Sequence, residues 1–209
     1  MTEWTPQDIA ERASRRDAEA FAQLYDEHLD TVYRYILYKV GEVLLAEELT
    51  EDVWAKAWEG IERFQWRNLP FQHWLLRIAR NVVVDHWRSR RRATTSIDGL
   101  VDVSSDEAPP DERVARDFEM QTLQQALMRL PNDQRDVVIL RFIEGYSHAD
   151  VAGVLNKSVV AVRQIQVRAL KALNKQLTDE GDVTLVARTR SGIGAATRRE
   201  PGPREEPVG

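Results

Sequence analysis

The sequence predicts an all-α protein: two small helical domains joined by a flexible acidic linker, followed by a disordered C-terminal tail. Three observations carry that expectation. Apolar residues recur at helical spacing through most of 17–92 and again through 119–177, while strand signals are scarce. Between those stretches, 93–118 is poor in large apolar residues and contains Pro109-Pro110; from Asp98 to Glu119 it holds eight acidic and two basic residues. Beyond Thr178 the chain is rich in Gly, Pro and Arg and has no apolar period. The expected boundaries are 1–92, 93–118, 119–178 and 179–209.

The elements follow in order. Residues 17–40 read as a helix, with Asp17 as N-cap, a stripe of Phe21, Leu24, Tyr25, Val32 and Ile36, and Gly41 past the end. Residues 42–62 form another, with Ala46, Leu49, Val53 and Ala57 on one side. The loop at 65–70 interrupts the pattern because Pro70 disfavours a helix at Leu69. A long helix over 74–92 follows. In the second domain Leu123, Leu127 and Leu130 make a stripe that Pro131 ends. Residues 132–145 read as a capped helix stopped by Gly145, 147–155 as a helix capped by Ser147, and 157–177 as one capped by Ser158.

Composition narrows the function. Of 209 residues, 43% are apolar, enough for a core, and 30% are charged, with a net charge of −5. No stretch approaches the apolar run a membrane helix requires. The N-terminal segment lacks the apolar stretch of a secretory signal, and the absence of cysteine fits a reducing compartment. A cytoplasmic protein without membrane insertion is expected. Overall acidity argues against indiscriminate coating of nucleic acid, and it permits local basic faces.

Two such faces are present. On the 74–92 helix, Leu75, Ile78, Ala79, Val82 and His86 share one side; Arg77, Arg80, Asn81, Val84, Arg88 and Arg91 share the other, and four arginines crowd 88–92. A one-sign stripe of roughly 20 Å at 1.5 Å per residue suits backbone phosphates, and Asn81 suits a base edge. The C-terminal arginines equally suit the helix dipole. Trp66, in a polar loop, is a candidate stacking residue; Trp74 and Trp87 read as packing. The second face lies in 147–173. A short helix, a tight turn at Asn156-Lys157 and a longer helix have the layout of a helix-turn-helix. Val162, Ile165, Ala169 and Leu173 face inward. Val160, Ala161, Arg163, Gln164, Val167, Arg168 and Lys171 are left outside, with Arg163 and Gln164 suited to bases and Arg168 and Lys171 to phosphates.

Together these units resemble a group IV (extracytoplasmic function, ECF) sigma factor of the sigma-70 family. "AEELTEDVWAKAWEGIERF" (46–64) resembles region 2.2, "PFQHWLLRIARNVVVDHWRSRRR" (70–92) resembles regions 2.3–2.4, and 130–173 resembles region 4. The resemblance implies a sigma2-like helical bundle that reads and helps open the −10 element, and a sigma4-like helix-turn-helix domain that binds the −35 duplex. It implies core RNA polymerase as partner, through the β′ clamp helices and β flap, together with promoter DNA and an anti-sigma factor. The −10 set is Trp66, Arg77, Arg80, Asn81, Arg88, Arg90, Arg91 and Arg92. The −35 set is Ser158, Val160, Ala161, Arg163, Gln164, Val167, Arg168 and Lys171. Docking falls to Glu48, Glu51, Asp52 and Glu59, on the face opposite Ala46, Leu49 and Val53. The acidic linker would thread near the active-site cleft and RNA exit path. Val159, Val160 and Val167 depart from the polar or small residues frequent in relatives, which leaves the −35 sequence open.

A stand-alone helix-turn-helix regulator is the alternative; it would usually bring a sensor or dimerisation domain where this chain has a second basic helix and an acidic face. An enzyme is not expected. Among His28, His73, His86 and His148 no pair has zinc-helix spacing, and there is no Gly-rich phosphate loop or nucleophile elbow. No cofactor, metal or small-molecule substrate is expected.

Overall fold

The computed structural model describes residues 4–66, 70–94 and 122–179, and every regular element among them is helical. The linker and tail read at 93–118 and 179–209 fall almost wholly outside these residues.

Helix α1 (Pro6–Ser14) begins with a capping box in which Thr5 and Asp8 bond each other's backbone N–H groups, with Pro6 in the first turn. This helix lies outside the elements expected from the sequence, although Thr5-Pro6 followed by Asp8 carries its start signal. Asp17 caps α2 (Ala18–Val40) as expected, accepting from the N–H groups of Glu19 and Ala20 at 3.1 Å each. Gly41 ends α2 at φ 84°, where its N–H reaches the Leu37 carbonyl at 2.9 Å. Helix α3 (Val43–Gly60) tightens into a 3₁₀ turn at Ile61–Arg63, so the single helix expected to residue 62 ends two residues early. Helix α4 runs over Phe71–Thr94.

Helices α2, α3 and α4 pack on one another around Leu24, Val32, Ile36, Leu49, Val53, Ala57, Leu75 and Ala79, all buried. Each buried leucine or isoleucine contributes about 1.5–3 kcal/mol. Phe64, Phe71 and Trp74 close the lower end with ring centroids 5.3–5.4 Å apart. On α4 the buried set is wider than the stripe read from sequence: Leu76 and Val83 are buried too. The reason is that α4 is covered from two sides, by α2 and α3 on one and by the second unit on the other.

The second unit opens with a helical stretch at 122–128, here α5. Helix α6 (Asn132–Val138) starts after Pro131 and has no side-chain cap, contrary to the capped helix expected, because a proline side chain offers no acceptor. It widens into a π turn at Ile139–Ile143 before Gly145, at φ 75°, turns the chain. Helices α7 (His148–Leu155) and α8 (Val159–Asp179) follow. Both α6 and α7 pack on α8, burying Leu127, Val137, Ile139, Leu140, Val151 and Val162. The two units touch, α4 against α7 and α2 against the π turn.

Candidate nucleic-acid interface

The α7–turn–α8 unit is fixed by local chemistry. Ser147 and Asp150 form a capping box at the start of α7. Asn156 takes the left-handed conformation at φ 51°, and the Lys157 N–H bonds the Ala152 carbonyl at 3.0 Å. Asparagine tolerates this geometry better than most residues. Ser158 Oγ then accepts from the Ala161 N–H at 3.1 Å and opens α8. Val162, Ala169 and Leu173 are buried and Ile165 half-buried, which turns the opposite side of α8 outward. Ser158, Val160, Arg163, Gln164, Val167, Arg168 and Lys171 are exposed there; Ala161 is half-buried. A shallow groove of about 420 Å³ runs between Val160, Arg163, Gln164, Val167 and Arg168. It joins two cations and an amide to two exposed valines, a mixture that fits base edges and thymine methyls.

The structure divides the α4 stripe. Its C-terminal part, with Asn81, Arg88, Arg90, Arg91 and Arg92, is exposed. Arg88 lies 3.7 Å from Asp85, and the Arg90 guanidinium sits 5.8 Å over the Trp87 ring. The N-terminal part does not stand open to solvent as the helical wheel suggests. Arg77 is half-buried and donates from Nε and Nη2 to the Gly153 carbonyl, the former at 2.9 Å. Arg80, also half-buried, donates to Asp136 at 3.0 Å and to Asp133 at 2.8 Å. Helical periodicity within one unit carries no information about what a second unit covers. Trp66 is half-buried and meets Phe64 edge-on, centroids 6.4 Å apart; the 67–69 part of its loop falls outside the described residues. On α3, Glu48, Glu51, Asp52 and Glu59 are all exposed on the side away from Ala46, Leu49 and Val53.

Sequence reading missed the charged centre between the units. Asp136 is fully buried and receives Lys39 Nζ at 2.5 Å, Tyr35 OH at 2.8 Å and Arg80 Nε at 3.0 Å. Burial pushes the Lys39 ammonium below its usual range, against the opposing pull of Asp136. Burial likewise raises Tyr35, reinforced by the Asp136 charge. Arg135, also buried, donates to the carbonyls of Leu127 at 2.7 Å, Lys39 at 2.9 Å, Leu130 at 3.2 Å and Met128. The available signal was Lys39: it continues the α2 stripe of Val32, Tyr35 and Ile36, a core position where lysine needs a partner.

Two basic helical faces on separate units, one in a helix-turn-helix, define a DNA-handling protein. Comparison with known proteins fixes which kind. The models of sigma-70 region 2 and sigma-70 region 4 match residues 24–93 and 120–173. The ECF RNA polymerase sigma factor SigX of Bacillus subtilis is 31% identical over 191 residues, covering 86% of this chain and 97% of that one. BldN of Streptomyces coelicolor, another ECF sigma factor, is 37% identical over 174 residues, covering 83% of this chain and 66% of the relative. The fold is similar to that of CnrH in complex with the cytosolic domain of CnrY (TM-score 0.62, 25% identity, 83% and 97% covered). It is also similar to sigma factor RpoE in complex with the anti-sigma factor NepR from Bartonella quintana (TM-score 0.65, 25% identity, 76% and 96% covered). The chain belongs to the ECF sigma factors of the sigma-70 family.

Proposed function

We propose that this sigma factor binds core RNA polymerase through the acidic side of α3, against the β′ clamp helices, with its second unit near the β flap, and directs initiation at promoters read by two helices. The α8 face carries −35 recognition. Arg163 and Gln164 read base edges, Arg168 and Lys171 hold phosphates, and Ser158, Val160, Ala161 and Val167 complete the surface. The end of α4 carries the −10 element, with Arg88, Arg90, Arg91 and Arg92 on phosphates and Asn81 beside an unstacked base. Trp66, Arg77 and Arg80 border that region. The observation that supports this reading is the exposure of both basic surfaces, α8 and the end of α4, on units matched to regions 4 and 2.

Energetics require the partner. Opening around a dozen base pairs costs on the order of 17 kcal/mol, at about 1.4 kcal/mol per step. Stacking one flipped base returns about 1–3 kcal/mol. One or two captured bases do not offset the cost, so the free chain leaves duplex promoters closed and polymerase must hold the separated strands. Its role is recognition rather than catalysis, in the cytoplasm where polymerase works. Two structural relatives were solved with CnrY and an anti-sigma factor, and we extend control by an anti-sigma factor to this chain. No helix among the described residues is long and apolar enough to cross a membrane.

Run-off transcription over a genomic promoter library tests the proposal. Core polymerase plus this chain gives transcripts that core alone does not, and the chain co-purifies with core. A set of transcripts identical to that of core alone contradicts it.

A further inference from the structure

The outer ridge of α8 holds two apolar residues that its hydrogen-bonding groups leave unexplained. With 3.6 residues per turn, Val160, Gln164, Val167 and Lys171 fall within about 60° of one another, opposite the buried Val162, Ala169 and Leu173. Arg163 and Arg168 stand on either side of that line. Val160 and Val167 are 63% and 53% exposed, so the core gains little from either. Valine is also a mediocre helix former, because its branched side chain is restricted against the preceding turn. Two valines on the outermost line of a helix suit a contact outside the chain. Their neighbours say which kind. An apolar patch that docks another protein is contiguous, whereas here Arg163, Gln164, Arg168 and Lys171 separate and flank the valines. Those cations favour a polyanion. In the major groove of DNA, the apolar group that stands among the donors and acceptors is the C5-methyl of thymine.

We propose that Val160 and Val167 are specificity residues of the −35 site: each reads the C5-methyl of a thymine, at two positions about three base steps apart, on either side of the base edges met by Arg163 and Gln164. The inference rests on the −35 reading of α8 and adds which bases the element must hold. Three properties suit this role. Val160 belongs to the first turn of α8, the part of such a helix that reaches base edges. Seven residues separate the valines, about 10.5 Å along the axis at 1.5 Å per residue, against about 3.4 Å per base step. A helical valine is held in one side-chain rotamer, so its methyl groups are placed in advance and the contact orders little. Each contact distinguishes a T·A pair from a C·G pair, whose cytosine lacks the methyl.

The test removes single methyl groups from the DNA. Holoenzyme is formed from core polymerase and the full chain, and a promoter recovered by run-off transcription supplies the fragment. Each thymine of the upstream protected element, on either strand, is replaced singly by deoxyuridine, which lacks the methyl and keeps the hydrogen-bonding edge. Affinity should fall by about fourfold, the ratio expected for one buried methyl, at two thymines roughly three base steps apart, and should hold at the others. Val160→Ala should abolish the loss at one of these thymines and Val167→Ala at the other, so that each variant binds thymine and deoxyuridine equally at its own site. Both valines are exposed, and alanine is the better helix former, so the variants keep the fold. Equal affinity for every substituted fragment, a loss that persists in both variants, or an upstream element without thymines at that spacing overturns the methyl reading and leaves −35 recognition by Arg163 and Gln164 in place. Upstream protection indifferent to Arg163→Ala with Gln164→Ala overturns the −35 reading itself, and the methyl contacts with it.

Discussion

Arg135 shows how a single buried side chain organises its surroundings. Its guanidinium donates to carbonyls at the end of α5, in the turn to α6 and at the end of α2, and the first of these, Leu127, also accepts from the Leu130 N–H at 3.0 Å. Replacing it with methionine removes all of these side-chain bonds at once, and we expect a loss of about 2–4 kcal/mol on urea unfolding, more than one ordinary hydrogen bond. Lysine in its place should recover little, because a single ammonium cannot span the planar set of acceptors. Histidine protonation should be visible at this scale as well. Burial lowers His28, opposed by the Glu27 charge; burial also lowers His73, which lies 3.5 Å from Asp150, with that carboxylate opposing and Arg77 assisting. Both then bind protons more readily in the unfolded chain, so stability falls as pH drops through the ordinary histidine value of 6.5 and continues to fall to their folded pKa values. Thermal unfolding at pH 7.5 and 5.5 checks this. His28→Gln with His73→Gln should flatten the difference, and an equal slope in the variant would contradict the assignment. The lowered carboxylates Asp8, Asp17, Glu62, Asp133 and Asp150 act in a separate window, below the ordinary carboxylate values of about 4.

Among the elements, the helix-turn-helix was the most legible part of the chain. Ser147, Asn156 and Ser158 each carry a local rule, a cap or a left-handed turn, that needs no tertiary context. The inward set of α8 followed from period alone. Element α6 was less legible, because a π turn depends on how Ile139–Ile143 seat in the core, and nothing in the sequence between Val138 and Gly145 marks it. Helix α1 is legible in Thr5, Pro6 and Asp8, which carry its start signal locally. On α4 the basic stripe was legible, whereas the engagement of Arg77 and Arg80 was not, since it depends on the partner surface supplied by α6 and α7. Cap removal tests the element level. Ser158→Ala should cost about 1 kcal/mol of stability and weaken −35 binding without altering sequence preference. Phosphate contacts at the end of α4 are checked by salt titration: Arg88→Ala with Arg91→Ala in holoenzyme should reduce the slope of log affinity against log salt by about 1.4–1.8, at 0.7–0.9 per contact. An unchanged slope would remove those two residues from the interface.

For the molecule as a whole, an acidic chain carries two cationic surfaces and a separate anionic face on α3. Under the proposed function, the acidic side would be held by polymerase while both basic surfaces meet DNA. Charge reversal of the docking face, Glu48→Lys with Asp52→Lys, should reduce co-purification with core polymerase while leaving the helical content and the α8 surface intact. The central claim is that α8 and the end of α4 grip two separate promoter elements. It is tested most directly by footprinting holoenzyme on a promoter recovered by run-off transcription. We predict two protected patches, the upstream one lost in Arg163→Ala with Gln164→Ala, and the downstream one, with its permanganate-reactive open bases, weakened in Arg88→Ala with Arg91→Ala and Arg92→Ala. A single patch, or two patches indifferent to both sets of substitutions, would contradict the account.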